Sequence, residues 1–442
     1  MNKPSESQPG MKNFYVLWAG QFVSIFASQM TWFALTLWAW DLAGSATALV
    51  LVGIIGRIPD LILSPFAGAL VDRWNRKLLM GLSDAGAALS TLILLILSLS
   101  GDLQLWHLYV VSAIGGVFGV FQYPAYAAAV STMVPKEQFA RANSMRSAIG
   151  SASGIGAPLL AGALIVPLGL NGILIIDLVT FVFAVGTLLI TRVPQPKATR
   201  EGQEGRGSIW TETRQGWRYI INRPSLKAII LLFTFSNIAA AFIYPLIAPM
   251  ILAKTGDDAV ALGTVQSVAS FGFLAGSVLM SVWPGPKRRI FGVNLTFILT
   301  GLFGAIIFGI GWSMVPWVVG VFFQSAGNPI INSLYIAVMQ SKIPQDLQGR
   351  FFGLENTISV VSYPIGQLIG GLMSDRILEP AMTSDTGLQA LLGGLVGTEP
   401  GAGYGLAIIM GGMLAIVTGV AGLAIRRIRD IEVIMPDQVA ES

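Results

Sequence analysis

Apolar stretches of roughly twenty residues, separated by short polar or glycine- and proline-bearing turns, recur along almost the whole chain. A stretch of that length crosses a bilayer as one α-helix, because about 20 residues at about 1.5 Å rise cover the roughly 30 Å of hydrocarbon. The pattern predicts twelve spans, at 14–38, 46–70, 77–100, 105–133, 142–166, 169–191, 225–252, 259–282, 290–311, 314–341, 351–374 and 403–425. The expected class is an all-α membrane protein, since a helix satisfies its own backbone hydrogen bonds inside lipid.

A weak internal repeat groups the spans into halves. Val134, Pro135, Glu137 and Arg141 recur as Ile343, Pro344, Asp346 and Arg350, and Tyr126 recurs at the same offset as Tyr335. The register also pairs Leu159, Leu160, Ala161 and Gly162 with Leu368, Ile369, Gly370 and Gly371, which makes spans 4–5 and 10–11 equivalent. A hydrophilic stretch rich in Pro, Gly, Glu and Arg lies between the halves. The division is therefore an N-terminal six-helix bundle at 1–192, a linker at 193–224, and a C-terminal six-helix bundle with a short tail at 225–442. Inside the linker, Trp210, Trp217 and Ile221 share one helical face opposite Arg214 and Arg218. Two readings fit that face: a helix lying on the inner leaflet, or a solvated linker helix.

Charge orients the spans. With a cytoplasmic N-terminus, the inner turns collect Arg73, Arg76, Lys77, Lys136, Arg141, the basic residues of 192–227, Lys287, Arg288, Arg289, Lys342, Arg350, Arg426, Arg427 and Arg429. The outer loops hold only Lys254 and Arg376, so the positive-inside bias places both termini in the cytoplasm. The first apolar run follows a polar start, has no small-residue cleavage site, and reads as a retained span. Composition agrees: 54% of residues are hydrophobic and 11% charged, where soluble domains carry roughly a quarter charged residues. The basic residues sit in turns and are not gathered on a face, which excludes a nucleic-acid surface. With no cysteine and His107 as the only histidine, thiolate or His-based metal sites and a catalytic triad are excluded, and no cofactor is expected.

The turn after span 2 reads Gly68-Ala-Leu-Val-Asp72-Arg73-Trp-Asn-Arg76-Lys77. A positive-inside turn accounts for its basic residues but not for the leading glycine or the acid. A gate accounts for all of them: Gly68 admits a neighbouring helix, Asp72 caps a helix N-terminus, and Arg73 and Arg76 pair with carboxylates. Span 5 carries Gly150, Gly154, Gly156, Pro158 and Gly162, while glycines recur at Gly53 and Gly56, Gly272 and Gly276, and Gly366 and Gly370. Small residues at such spacing let membrane helices approach closely whatever the function.

The charged turn resembles the signature loop of the major facilitator superfamily. With Asp84, the Tyr123-Pro124 pair, the run from Val134 to Asn143 and the glycine-rich span 5, the resemblance extends to the drug, macrolide-efflux and siderophore (enterobactin) exporters of that superfamily. It implies the major facilitator fold of two pseudo-symmetric six-helix bundles, alternating access, and export of a small amphipathic compound in exchange for protons, by a monomer in the bacterial inner membrane. The span-5 glycines and Pro158 are similar to the glycine-proline motif of exporters, and the resemblance places the glycines of spans 2, 5, 8 and 11 between the halves. Gly68, Asp72, Arg73, Arg76 and Lys77 are gating candidates, with Asp72 latching against the start of span 11 near Arg350; Arg146 and Glu355, at equivalent places of the repeat one turn inside the cytoplasmic ends of spans 5 and 11, are candidates for an inner gate. One departure stands out: no arginine occurs in span 4 between Leu108 and Thr132, where many proton-coupled exporters carry one. The second half also lacks a full copy of the loop, with Gly276 leading only to the basic run Lys287-Arg288-Arg289.

The superfamily lines its central cavity with spans 1, 4, 7 and 10. In span 10, Gln324, Asn328 and Asn332 form one polar stripe followed by Tyr335. Span 4 offers Gln122, Tyr123 and Tyr126, span 7 offers Asn237 and Tyr244, and span 1 offers Gln21, Ser28, Gln29 and Trp32. Such a lining is aromatic and amide-rich without fixed charge, suited to an amphipathic molecule; bonding between helices is the alternative role for each residue. The charges inside predicted spans are Arg57, Asp60, Asp84, Arg146, Asp177 and Glu355. Arg57 and Asp60 are spaced to pair on one helix face, as a structural ion pair or a coupling element. Asp84 and Asp177 lack partners in their own spans. A carboxylate in a low-dielectric site takes up a proton more readily than one in water, so both are proton-site candidates; capping or pairing with the signature-loop arginines is the alternative. Uptake of a nutrient or lipid, or a receptor built on the same fold, also fits the spans. The short tails offer no signalling domain, and no enzyme-like constellation occurs.

Overall fold

The computed structural model describes residues 11–135, 138–193, 223–283, 285–343 and 345–435. Side chains at 64–73, 123, 127–128, 131–132, 139–140, 143–144, 345–350, 352–354, 356–357 and 360 are not described. Gly68, Asp72, Arg73, Tyr123, Arg350 and the linker helix expected at 208–222 therefore lie outside the described residues, wholly or for their side chains.

Every regular element among the described residues is helical, and ten helices are long and apolar enough to cross a membrane. Spans 1 to 4 are Met11–Ala43, Ala46–Arg73, Arg76–Ser100 and Leu105–Met133. Phe139–Ile190 is 52 residues long. At about 1.5 Å per residue it reaches more than twice the hydrocarbon thickness, so it must turn back. It does so at Gly169, whose φ of 65° favours glycine, and this break separates spans 5 and 6. Span 7 runs through Pro224–Ile243, Tyr244–Leu246 and Ile247–Thr255; span 8 is Ala259–Val282; span 9 is Arg289–Leu299 continued to Ile310. Spans 10, 11 and 12 are Met314–Lys342, Gln345–Met373 and Ala402–Ala424. The architecture is the expected all-α membrane fold, and the described helices fit twelve spans.

Contacts divide the chain into two compact units, 1–43 with 51–199, and 44–50 with 200–442. In the first unit, span 1 packs along spans 5 and 6. Gly20 leaves room for Thr187 where a Cβ would collide with its hydroxyl, and Trp18 Nε1 donates to the Met145 carbonyl at 2.8 Å. Asn75 caps span 3 by accepting the Leu78 N–H at 3.2 Å. Lys77 donates to the carbonyls of Leu189 and Thr191 at 2.7 and 2.9 Å, at the carbonyl-bearing end of span 6 where a cation is favoured. His107 is structural: its Nδ1 accepts the Gln104 N–H at 3.0 Å at the start of span 4.

In the second unit, Phe233, Phe297 and Tyr335 anchor the core of spans 7, 9 and 10, with the Phe233 and Tyr335 rings 3.7 Å apart. Asp258 caps span 8, accepting from Val260 and Ala261 N–H at 2.8 and 3.1 Å. Lys342, buried, donates to the carbonyls of Glu432 and Met435, and the Glu432 carboxylate in turn accepts the N–H groups of Arg289 and Ile290. Span 9 contains a π-helical segment, Thr300–Ile306, of the sort that marks functional sites. Beyond span 11, Asp375 accepts from the Tyr404 hydroxyl, from the N–H of Ala46 and Thr47, and from the hydroxyls of Ser45 and Thr47. The beginning of span 2 thus groups with this unit. Burial pushes the nearby Glu379 carboxyl above its ordinary value, opposed by the Gly401 and Gly403 N–H groups it accepts. A short apolar helix, Gly387–Val396, fills what the sequence pattern predicts as a loop; ten residues are too few to cross lipid.

Several glycines of spans 2, 8 and 11 have their nearest contacts inside a unit. A Cβ on Gly272 or Gly276 would meet span 10 at the Phe322 and Ala326 carbonyls, and one on Gly366 or Gly370 would meet span 7 at Ile238 and Phe242. Gly56 lies against Ser112 of span 4, whose Gly116 fits onto the Gly56 carbonyl. Gly53 has nothing within 4 Å. In span 5, Gly156 packs on Phe26 of span 1 and Pro158 is buried, while Gly150 faces open space. Backbone-to-backbone approach within each bundle is what these residues permit.

Candidate functional site

Each unit encloses its own polar cavity. That of the first unit measures about 220 Å³ and is lined by Gln21, Ser28, Gln29 and Trp32 of span 1, Asp84 and Thr91 of span 3, Gln122 of span 4, and Asp177 and Phe181 of span 6. The expected span-1 and span-4 amides therefore converge, but the lining is not free of charge. Spans 3 and 6, absent from the expected lining set, bring in Asp84 and Asp177, which are 7% and 6% exposed. Tyr126 is buried in the core of the unit and does not line the cavity.

The two carboxylates are held by neutral donors. Gln21 Nε2 donates to Asp84 Oδ2 at 3.0 Å, and Gln122 Nε2 donates to Asp84 Oδ1 at 2.8 Å and to Gln21 Oε1 at 2.9 Å. The result is a closed ring joining spans 1, 3 and 4. Asp177 accepts from Ser28 Oγ at 3.0 Å and Thr91 Oγ1 at 2.8 Å. Neither acid engages an arginine among the described residues. Thr91 could have been found from sequence: it stands seven residues after Asp84, two turns along the same helix face.

The second cavity measures about 190 Å³ and gathers Asn237 and Tyr244 of span 7 with Gln324, Asn328, Asn332 and Tyr335 of span 10. Glu355 and Ser359 of span 11 join them, as do Phe233, Phe297 and Thr300, none of which the sequence pattern singled out as lining. Asn237 donates to Ser359 Oγ at 2.9 Å. The Gln324 Oε1 and Tyr335 hydroxyl are buried without a hydrogen bond of good geometry, although Tyr335 faces the Glu355 carboxylate. The span-9 π segment borders this cavity through Thr300, and its Gly304 leaves space that Gln324 occupies.

Other expected pairings are rearranged. Arg57 and Asp60 are both exposed on span 2 and form no ion pair among the described residues; their side chains do not meet despite the spacing. Arg76 is buried at the start of span 3, and Arg146 lies beside Tyr126 in the first unit. Glu355, one of the gating candidates, lines the second cavity.

A chain of membrane-crossing helices folded as two bundles, each enclosing a polar cavity, defines a multi-pass membrane transporter. The chain belongs to the Major Facilitator Superfamily, whose family model matches residues 17–367. It is similar to macrolide efflux protein A of Streptococcus pyogenes, 27% identical over 82% of this chain and 90% of that protein. It is also similar to the multidrug efflux pump Tap of Mycolicibacterium fortuitum, 24% identical over 80% of this chain and 87% of the other. In fold it matches a bacterial homologue of the human lysosomal transporter Spinster, with a TM-score of 0.64 at 16% identity over 93% of this chain and 96% of that one. The nucleoside transporter NupG matches with a TM-score of 0.65 at 12% identity over 94% and 99%.

Proposed function

We propose that this transporter exports a small amphipathic compound, macrolide-like or drug-like, across the bacterial inner membrane by alternating access, in exchange for protons, as a monomer with both termini cytoplasmic. The observation that carries the reading is the pair of acids in the first cavity. Two buried carboxylates face one small space without a cation among the described residues, and such charge is most cheaply neutralised by taking up a proton. The amide and aromatic residues of both cavities supply the mixed polar and apolar contact that an amphipathic molecule needs. Similarity to proteins named for macrolide and multidrug efflux supports the direction. The one-sided distribution of Lys and Arg supports the orientation.

Uptake of labelled erythromycin into everted membrane vesicles tests the proposal. Accumulation that rises with an imposed proton gradient and collapses when an uncoupler is added is the expected result. Accumulation indifferent to the uncoupler rules out proton exchange, and entry only into right-side-out vesicles replaces export by uptake.

A further inference from the structure

Asp84 and Asp177 line the same cavity, yet the groups holding them differ in kind. Asp177 takes its hydrogen bonds from the hydroxyls of Ser28 and Thr91. A hydroxyl donates or accepts after rotation about one bond, so a protonated Asp177 keeps both contacts. Asp84 is held by the amide nitrogens of Gln21 and Gln122. An ionised carboxylate accepts only, so both amides must turn their N–H groups toward it, and an amide nitrogen has no lone pair to offer in return. A proton on Asp84 Oδ1 therefore points at a donor, and the ring cannot survive unchanged.

Gln122 contains the group that would accept that proton. Its Oε1 is buried and accepts no hydrogen bond while the ring is closed. A half-turn of the amide carries this oxygen to Asp84 and at the same time withdraws the N–H that Gln122 gives to Gln21 Oε1, 2.9 Å away. That N–H is the ring's direct link between spans 1 and 4. Protonation is thus silent at Asp177 and mechanical at Asp84.

From these contacts we infer that Asp84 carries the coupling proton and that Gln122 is a positioning residue, converting the charge state of Asp84 into the making or breaking of the bond between spans 1 and 4. The assignment rests on the proton-coupled reading above. The proton arrives from the outer solution, forms an O–H bond on Asp84 Oδ1 and cancels the carboxylate charge. It leaves to the inner solution when that bond breaks, and both amides then regain their acceptor. Across the cavity the ionisable group facing Asp84 is Asp177 of span 6; the described lining residues of spans 1 and 4 carry no ionisable group. Arg146 of span 5 stands beside Tyr126, one turn along span 4 from Gln122.

Infrared difference spectra of the full-length protein in liposomes, recorded between alkaline and acidic buffer, test the inference without a substrate. The wild type is expected to gain a protonated-carboxyl band together with a shift of a glutamine side-chain carbonyl. Asp84→Asn loses the glutamine shift, Asp177→Asn keeps it, and Gln122→Leu keeps the carboxyl band but loses the shift. Asp84→Glu, which retains an acid, restores the shift if the Asn variant folds poorly. A glutamine shift that persists in Asp84→Asn, or vanishes in Asp177→Asn, overturns the assignment. Erythromycin flux in everted vesicles separates the two levels. Wild-type flux that ignores the gradient removes the proton-coupled reading, whereas gradient-driven flux left equally driven in Asp84→Asn removes only the role of Asp84.

Discussion

The two cavities hold their buried acids differently. In the first unit, each acid is matched by two donors from other spans, and the network ties spans 1, 3, 4 and 6 together. In the second, Glu355 faces a tyrosine hydroxyl without a well-formed bond, and Gln324 Oε1 is likewise unmatched. Each cavity keeps one unmatched amide oxygen, Gln122 Oε1 in the first and Gln324 Oε1 in the second, so the contrast lies in how the acids are held. The acids of the first cavity are thus held by defined donors from neighbouring spans, whereas Glu355 of the second is held less firmly.

The largest effect expected to separate them is on stability. Asp84→Leu strands the Gln21 and Gln122 N–H groups without their shared acceptor and should cost about 2–4 kcal/mol, whereas Glu355→Leu should cost less than about 1 kcal/mol. Thermal unfolding of the purified variants measures the difference, and equal losses would erase the contrast. Helix approach should be alike in the two units. Gly116→Ala would press a Cβ on the Gly56 carbonyl and Gly276→Ala one on the Ala326 carbonyl, each costing about 1–3 kcal/mol. A penalty confined to one of them would mean that the bundles differ in tolerance as well as in polarity. Capping comes next: Asp258→Ala removes the acceptor of two N–H groups and should cost about 1 kcal/mol, while Asn75→Ala, with one N–H at stake, should cost less. The smallest effect is Tyr335→Phe, which deletes a hydroxyl that has no well-formed bond and should leave stability within about 0.5 kcal/mol of wild type. A large loss there would show that the Tyr335–Glu355 contact is stronger than its geometry implies.

Much of this was legible in the chain because lipid imposes length and composition on every crossing helix. The predicted boundary at 166–169 coincides with Gly169, where a 52-residue helix must reverse. The span-10 stripe Gln324, Asn328, Asn332 lines one cavity because residues four apart fall on one face of a helix whatever surrounds it. The sequence also marked Asp84 and Asp177 as embedded acids, since charge inside an apolar run is visible without a fold.

Partnership was not legible. Gln21, Asp84 and Gln122 are separated by 63 and 38 residues, and nothing local selects those amides over Gln29. In the first half the lining was expected from spans 1 and 4, yet spans 3 and 6 deliver the charge, because which helix face turns inward depends on packing against all its neighbours. Arg57 and Asp60 show the converse: a spacing that permits an ion pair does not make one when both side chains are exposed. The glycines of spans 8 and 11 were marked as close-approach sites, but only the assembled bundle decides that spans 10 and 7 are what approach them. What the sequence determined by itself was which segments cross the membrane and which side chains are costly there, since both follow from one-dimensional length and polarity. The tertiary structure alone decided which donor meets which acid, since a hydrogen bond is made at about 3 Å between atoms that the chain holds far apart.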